Sequence, residues 1–196
     1  MSKPKRICVY CASSMKVPKK YFIDTKLIAT QLANHGHHIV YGGGAVGLMG
    51  ALADSIIEAG GSITGVMPNF MKDVEWNHPD VSDMVYTETM AERKKKLIEY
   101  VDVALALPGG SGTYEEIMEA ITLKRLGQIS ARIIFYNQDG FYDHMKAMFD
   151  RAVQDNFMTK DHLSFIKFES SIEGLLDTIN AASEEELVDI QTAVVR

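Results

Sequence analysis

The sequence predicts an α/β fold: a single Rossmann-like domain with a mostly parallel sheet and helices on both faces. Three observations lead there. Short β-branched or apolar runs alternate along the chain with longer segments of helical period, which is the pattern of βαβ units. Two glycine-rich loops each follow a strand and precede a helix, as ligand loops do in doubly wound sheets. The chain has 196 residues, 46% of them hydrophobic and 23% charged, which suits one well-buried core. Residues 1–196 are therefore read as one domain.

In chain order, the first strand is Ile7 to Cys11, an apolar run short enough to be wholly buried. Cys8 and Cys11 lie three apart in it, so their side chains take opposite faces, as two small buried residues rather than a redox or metal pair. A helix follows from Lys19 to Asn34, then a turn carrying His35 and His37, then the strand His38 to Tyr41. The three histidines, His38 included, fit that turn better than a zinc site, because no H-x-x-x-H or Cys/His cluster accompanies them. The helix Leu48 to Ala59, the strand Ser62 to Val66 and the strand Met84 to Thr87 come next. They are followed by the helix Met90 to Tyr100, the strand Val103 to Leu107 and the helix Thr113 to Leu126. The strand Arg132 to Tyr136, the helix Phe141 to Asp155, the strand Phe165 to Phe168 and the helix Ile172 to Ala181 complete the alternation. Ser183 to Ile190 starts like another capped helix.

With 20 Lys and Arg against 26 Asp and Glu, the net charge of -6 weighs against a nucleic-acid backbone binder, which needs cations lined against phosphates. A small anion in a local basic pocket is still compatible with it. The apolar stretches fall short of the ~20 residues that span a bilayer, and the opening MSKPKRICVY has no long apolar run or small-residue cleavage site. The expectation is a soluble, cytoplasmic protein with no membrane or nucleic-acid partner.

The glycine loops are Gly42-Gly43-Gly44-Ala45-Val46-Gly47-Leu48-Met49-Gly50 and Pro108-Gly109-Gly110-Ser111-Gly112-Thr113. Glycine permits positive φ and close backbone approach, so amide groups and the positive helix end can surround a phosphate. Both loops, Gly43 and Gly44 included, are candidate phosphate contacts. Neither is a standard nucleotide fingerprint. Gly42, Gly44 and Gly47 can be fitted to G-x-G-x-x-G, but after the second strand, and no acidic residue ends the next strand to hold a dinucleotide ribose. No Lys-Ser or Lys-Thr follows either cluster, so the triphosphate loop also fails.

The helix from Met90 has an apolar stripe of Met90, Leu97, Ile98 and Val101, and one turn back from Leu97 and Ile98 the stripe lands on Arg93 and Lys94. Two cations thus point roughly toward the core, while Lys95, Lys96 and Glu99 fall on the solvated side. Either the two stems snorkel along the surface, or their heads meet an anionic ligand, Arg as a planar fork and Lys as a point charge. Thr113-Tyr114-Glu115-Glu116 reads as a capping box with Thr113 as cap and Glu116 reaching back. Position gives Glu116 a second reading, since a carboxylate one turn past a phosphate loop can reach a sugar attached to that phosphate. Periodicity does not choose among Glu115, Glu116 and Glu119. Glu75 lies in a polar loop.

Pro108-Gly109-Gly110-Ser111-Gly112-Thr113-Tyr114-Glu115-Glu116 fits P-G-G-x-G-T-x-x-E in full, and Met90-Ala91-Glu92-Arg93-Lys94 precedes it at the expected distance. With the Tyr41 to Gly50 loop and Tyr10-Cys11-Ala12-Ser13-Ser14, the chain resembles the Lonely Guy (LOG) family of cytokinin riboside 5'-monophosphate phosphoribohydrolases from about Ile7 to Asp150. The resemblance implies hydrolysis of the N-glycosidic bond of a nucleoside 5'-monophosphate to free base and ribose 5-phosphate, without metal or cofactor. It also implies a homodimer whose subunits complete each other's site. Arg93 and Glu116 match the catalytic pair. Glu75, Lys94, Gly110, Ser111, Gly112, Thr113, Tyr114, Glu115 and Thr122 match substrate-contacting positions. Ala91 stands where many members have His, Ala12 where many have Gly, and Leu123-Lys124-Arg125-Leu126 departs from the usual run after Thr122, all of which bears on base preference. The rival from another class is a nucleotide or cofactor carrier on the same scaffold, which needs the loops but not the Arg93 and Glu116 pair. A lysine decarboxylase, a label sometimes given to this family, would need a lysine marked for a pyridoxal phosphate Schiff base.

Overall fold

The computed structural model describes residues 3–74, 77–181 and 187. Seven strands form one sheet: β1 (Arg6–Tyr10), β2 (His38–Tyr41), β3 (Ser62–Pro68), β4 (Asp83–Thr87), β5 (Val103–Ala106), β6 (Arg132–Tyr136) and β7 (Ile166–Glu169). Their order is β4-β3-β2-β1-β5-β6-β7 and every neighbouring pair is parallel. Parallel strands covered on both faces need apolar side chains throughout, and β1, β2 and β6 supply them as near-continuous β-branched and aromatic runs and β5 as Val103-Ala104-Leu105-Ala106.

The helices are α1 (Lys19–Asn34), α2 (Gly47–Glu58), α3 (Met90–Ile98), α4 (Ser111–Arg125), α5 (Asp143–Gln154), α6 (Lys160–Ser164) and α7 (Ile172–Asn180). One face of the sheet packs Ile28 and Leu32 of α1, Leu52 and Ile56 of α2, and Leu175 and Ile179 of α7, all with no exposed surface. The other packs Leu97 of α3, Ile117 and Ile121 of α4, and Phe149 of α5. Each such side chain contributes about 1.5–3 kcal/mol by leaving water. Cys11 belongs to the first face and Cys8 to the second, as the odd spacing requires.

The chain walks outward from β1 to the edge strand β4, then returns across the sheet to β5 on the other side of β1. That reversal places a switch point between β1 and β5, above whose carboxyl ends a crevice opens. There α1, α4 and their loops enclose a cleft of about 240 Å³ lined by Ala12, Val17, Tyr21, Leu48, Pro108 and Phe141.

Three differences from the sequence reading have local causes. Helix α4 starts at Ser111, two residues before the expected Thr113, because Gly110 takes the N-cap position. The short α6, capped by Thr159 and His162, falls in a stretch the pattern left blank. Met90, expected in the apolar stripe of α3, is the first residue of its helix and is exposed. Apart from Leu187, the helix expected over Ser183 to Ile190 lies outside the described residues. Among them no helix is long and apolar enough to cross a membrane.

Candidate active site

Helix α3 begins where Thr89 accepts a hydrogen bond from the Glu92 amide at 3.1 Å. One turn on, Arg93 faces the sheet with Leu97, and it is buried because its three nitrogens have places to go. Nε donates to the Val66 carbonyl at 3.1 Å, Nη1 donates to Oε1 of Glu116 at 2.6 Å, and Nη2 lies over Gly42. A Cβ at Gly42 would stand 2.6 Å from that nitrogen. The guanidinium and the carboxylate are 10% and 14% exposed, so this is a buried ion pair. Removing one partner of such a pair leaves an uncompensated charge worth about 3–5 kcal/mol. Burial pushes the Glu116 carboxyl above the usual range, and the Arg93 charge beside it only partly offsets the rise.

Glu116 is free to make this pair because the expected capping box does not form. Gly110 is the N-cap of α4 and no side chain caps the helix, while Thr113 is its third residue, buried with its hydroxyl where a Cβ on Gly109 would be. The first-turn amides of Ser111, Gly112 and Thr113 take no protein acceptor among the described residues. With the dipole of a 15-residue helix behind them they form an anion seat. A Cβ at Gly110 or Gly112 would meet nothing within 4 Å, so the approach is open. The loop is fixed from below by Tyr142, whose hydroxyl donates to the Leu107 carbonyl at 2.7 Å.

Lys94, beside Arg93, reaches Oε1 of Glu115 at 2.5 Å and Oε2 of Glu119 at 2.8 Å. Its hydrogen bonds to Glu115 first and Glu119 second raise its pKa, so it stays a cation. Tyr114 is half-buried with its ring edge toward Tyr142, 6.3 Å between centroids. Thr122 is exposed farther along α4, and its hydroxyl donates to its own helix at the Met118 carbonyl. The structure does not bring it to the ion pair. Glu75 lies outside the described residues. A groove of about 530 Å³ runs past Ala91, Lys95, Ile98, Glu119, Leu123 and Ile129.

The first glycine loop is built differently. Its Leu48 and Met49 amides both donate to the Ala12 carbonyl, at 2.9 and 3.3 Å, and the Gly47 amide donates to the Met15 sulfur. The phosphate cradle expected at the head of α2 is thus filled by the chain itself. Gly43 is held by its carbonyl, which accepts from the His78 amide, and Gly44 bridges to Asn77. Side chains of Met67 and Met84 crowd Gly43, and that of Met49 crowds Gly44. What the sequence reading missed is Gly42 and the Val66 carbonyl as the seat of Arg93. The only signal was a three-glycine run placed directly after a strand. Glu119 was named only as a rival carboxylate, although its spacing of four from Glu115 puts both on one side of α4.

A switch-point anion seat with a buried carboxylate one turn inside the same helix defines a Rossmann-like protein for phosphorylated ligands. A family model described as possible lysine decarboxylase matches residues 49–179. A cytokinin riboside 5'-monophosphate phosphoribohydrolase of Arabidopsis thaliana is 35% identical over 158 residues, 81% of this chain and 74% of that protein. A probable enzyme of the same description from Oryza sativa subsp. japonica is 36% identical over 157 residues, 80% and 70% of the two chains. The chain belongs to this LOG family of phosphoribohydrolases. Among solved structures, the molybdenum cofactor carrier protein of Chlamydomonas reinhardtii superposes with a TM-score of 0.69 at 17% identity, covering 90% of this chain and 96% of the other. The molybdenum cofactor binding protein of Rippkaea orientalis does so with 0.70 at 19%, covering the same shares. These two are likenesses of fold.

Proposed function

We propose that the protein hydrolyses the N-glycosidic bond of nucleoside 5'-monophosphates, of the cytokinin riboside 5'-monophosphate or AMP type, to free base and ribose 5-phosphate. The observation that carries this reading is the Glu116 carboxylate, buried against Arg93 one turn inside the helix whose first amides are open. A phosphate on the Ser111, Gly112 and Thr113 amides puts the attached ribose over the first turn of α4. Cleavage leaves positive charge on the ribose ring, and an anion at that distance stabilises it. Water adds to the anomeric carbon, its proton passes to Glu116, and the base departs with the bond electrons and takes up a proton. Arg93 keeps Glu116 ionised and fixes its direction, and its charge offsets what develops on the leaving base. Gripping the phosphate, remote from the bond that breaks, positions that bond for attack.

Lys94, Glu115, Tyr114 and the turn from Gly110 form the rest of the substrate surface in this reading, and Gly43 and Gly44 follow Gly42, the glycine under Arg93. Glu75 and Thr122 join it on the strength of the family resemblance alone. The same resemblance supports a homodimer, each subunit completing the other's site. The chemistry asks nothing of a metal or cofactor. A carrier, as the Chlamydomonas likeness is named, would use the open helix terminus but has no need of a carboxylate raised by burial beside it. Lysine decarboxylation is favoured by a family description only, and Lys94, the lysine next to the pair, is committed to two carboxylates.

Incubation with AMP, followed by chromatography for adenine and ribose 5-phosphate, tests the reading. Stoichiometric release of both supports it. Absence of base release from every nucleoside monophosphate tried, with AMP still bound, would establish a carrier instead.

A further inference from the structure

At the amino ends of the strands, the opposite ends from Arg93 and Glu116, four side chains form a hydrogen-bonded line across three strands. His38, Ser62 and Asp83 are each the first residue of β2, β3 and β4, and Thr64 sits two residues into β3. The register pairs His38 with Ser62 and Thr64 with Asp83. The Ser62 hydroxyl lies 2.6 Å from Nδ1 of His38, Nε2 of His38 lies 2.9 Å from the Thr64 hydroxyl, and that hydroxyl lies 2.5 Å from Oδ2 of Asp83.

The direction of donation along this line is fixed from one end. A carboxylate only accepts, so the Thr64 hydroxyl donates to Asp83. Its oxygen then accepts from Nε2–H of His38, which leaves Nδ1 as an acceptor, and the Ser62 hydroxyl donates to it. A neutral imidazole aimed at the serine proton and oriented from behind through an acid is the arrangement that activates a hydroxyl nucleophile. Thr64 is buried, His38 half-buried, and Ser62 and Asp83 exposed, so the middle of the line is shielded while the nucleophile is open to reagents. The groups facing His38 are Arg6 from β1, Ser62 and Thr64 from β3, and Asp83 from β4. Burial first and the Arg6 charge second hold the imidazole below the usual histidine range, which keeps it an unprotonated base at neutral pH.

The geometry points to Ser62 as a self-acylating serine, with His38 as its base and Thr64 and Asp83 as positioning residues, taking acyl groups from esters or thioesters with good leaving groups. Good leaving groups suit such a line because they need the least help at the acyl oxygen. With p-nitrophenyl acetate the Oγ of Ser62 bonds to the acetyl carbon and its proton passes to Nδ1. The bond to the phenol oxygen then breaks, and p-nitrophenolate leaves and recovers the proton from Nδ1.

The test is p-nitrophenyl acetate with the full chain, followed by p-nitrophenol absorbance and by peptide mass mapping. One acetyl group at Ser62 is expected, abolished in Ser62→Ala, which keeps its activity toward AMP. Thr64→Val preserves shape in the core and cuts the line between His38 and Asp83, and acetylation of Ser62 should slow at least tenfold. A rate that rises with pH as His38 loses its proton, flattening near neutrality, is the signature a packing role would not give. Acetyl groups on lysines with none on Ser62, or a Thr64→Val protein acetylated at Ser62 at the parent rate, would overturn the assignment.

Discussion

The two glycine loops look alike in the sequence and do opposite things. At the head of α2 the glycines are there because protein presses on them: a Cβ at Gly47 would stand 2.4 Å from the Ser13 carbonyl carbon, and one at Gly50 2.2 Å from the Ala45 oxygen. Gly47 also has φ of +65°, the left-handed region. At the head of α4 a Cβ at Gly110 or Gly112 would meet nothing within 4 Å, neither has positive φ, and the Ser111, Gly112 and Thr113 amides stay open. A glycine-rich turn reports that something approaches the backbone closely. Whether that is the chain itself or a ligand is decided by the neighbouring segment, here Ala12 to Met15.

The largest effect expected is in the open loop's own helix. Glu116→Gln should lower kcat for base release by about 10²- to 10⁴-fold, measured by chromatography on the folded fraction, and should also lower the denaturation midpoint because Arg93 loses its counter-ion. A parent rate in that variant would remove Glu116 from the chemistry. The comparison between loops is next. Gly47→Ala should destabilise the protein by about 2 kcal/mol or more through backbone strain and the Ser13 clash, whereas Gly110→Ala should hardly move the denaturation midpoint. Equal losses of stability would mean the two loops are packed alike. Gly42→Ala falls between them. It should displace the Arg93 guanidinium and cost about tenfold in kcat, or 1.4 kcal/mol in barrier, with little change in KM.

Smaller still is a pH effect. Glu116 works as a carboxylate, and burial raises its pKa, so activity should climb with pH through a value above the ordinary ~4.3 of a glutamate and hold beyond it. A pH-rate profile whose acid limb sat at or below that ordinary value would contradict the burial of the pair. Lys94→Met should have the least effect, raising KM a fewfold. Its charge is shared with Glu115 and Glu119 in a partly exposed network, where each pair is worth about 1 kcal/mol or less.

Much of the fold was legible because β-branched runs such as HIVY and RIIFY and the helical period of α1 and α5 are local signals. Strands β2 and β6 and helix α1 begin and end where the pattern places them. Helix α6 was not legible: five residues are too few to show a period, and its cap is a Thr159–His162 pair rather than the usual acid. In the site, the inward turn of Arg93 followed from spacing. The use of Glu116 did not, since the capping reading fitted the same residues. It fails because the helix starts two residues early, at Ser111 behind Gly110, which leaves Glu116 free for an arginine brought from another βα unit. That the α2 amides are filled was equally hidden, because the Ala12 carbonyl that fills them comes from another part of the chain.

Arg93 and Glu116 come from opposite halves of the sheet. Helix α3 follows the edge strand β4, and α4 follows β5 beyond the switch point. Their ion pair is therefore a latch that closes only after the two halves have docked. A chain stalled with β1 to β4 in place would hold an arginine without its counter-ion and a groove without its wall. On the proposed function, a turnover measurement would therefore count only molecules in which both halves of the sheet are in place.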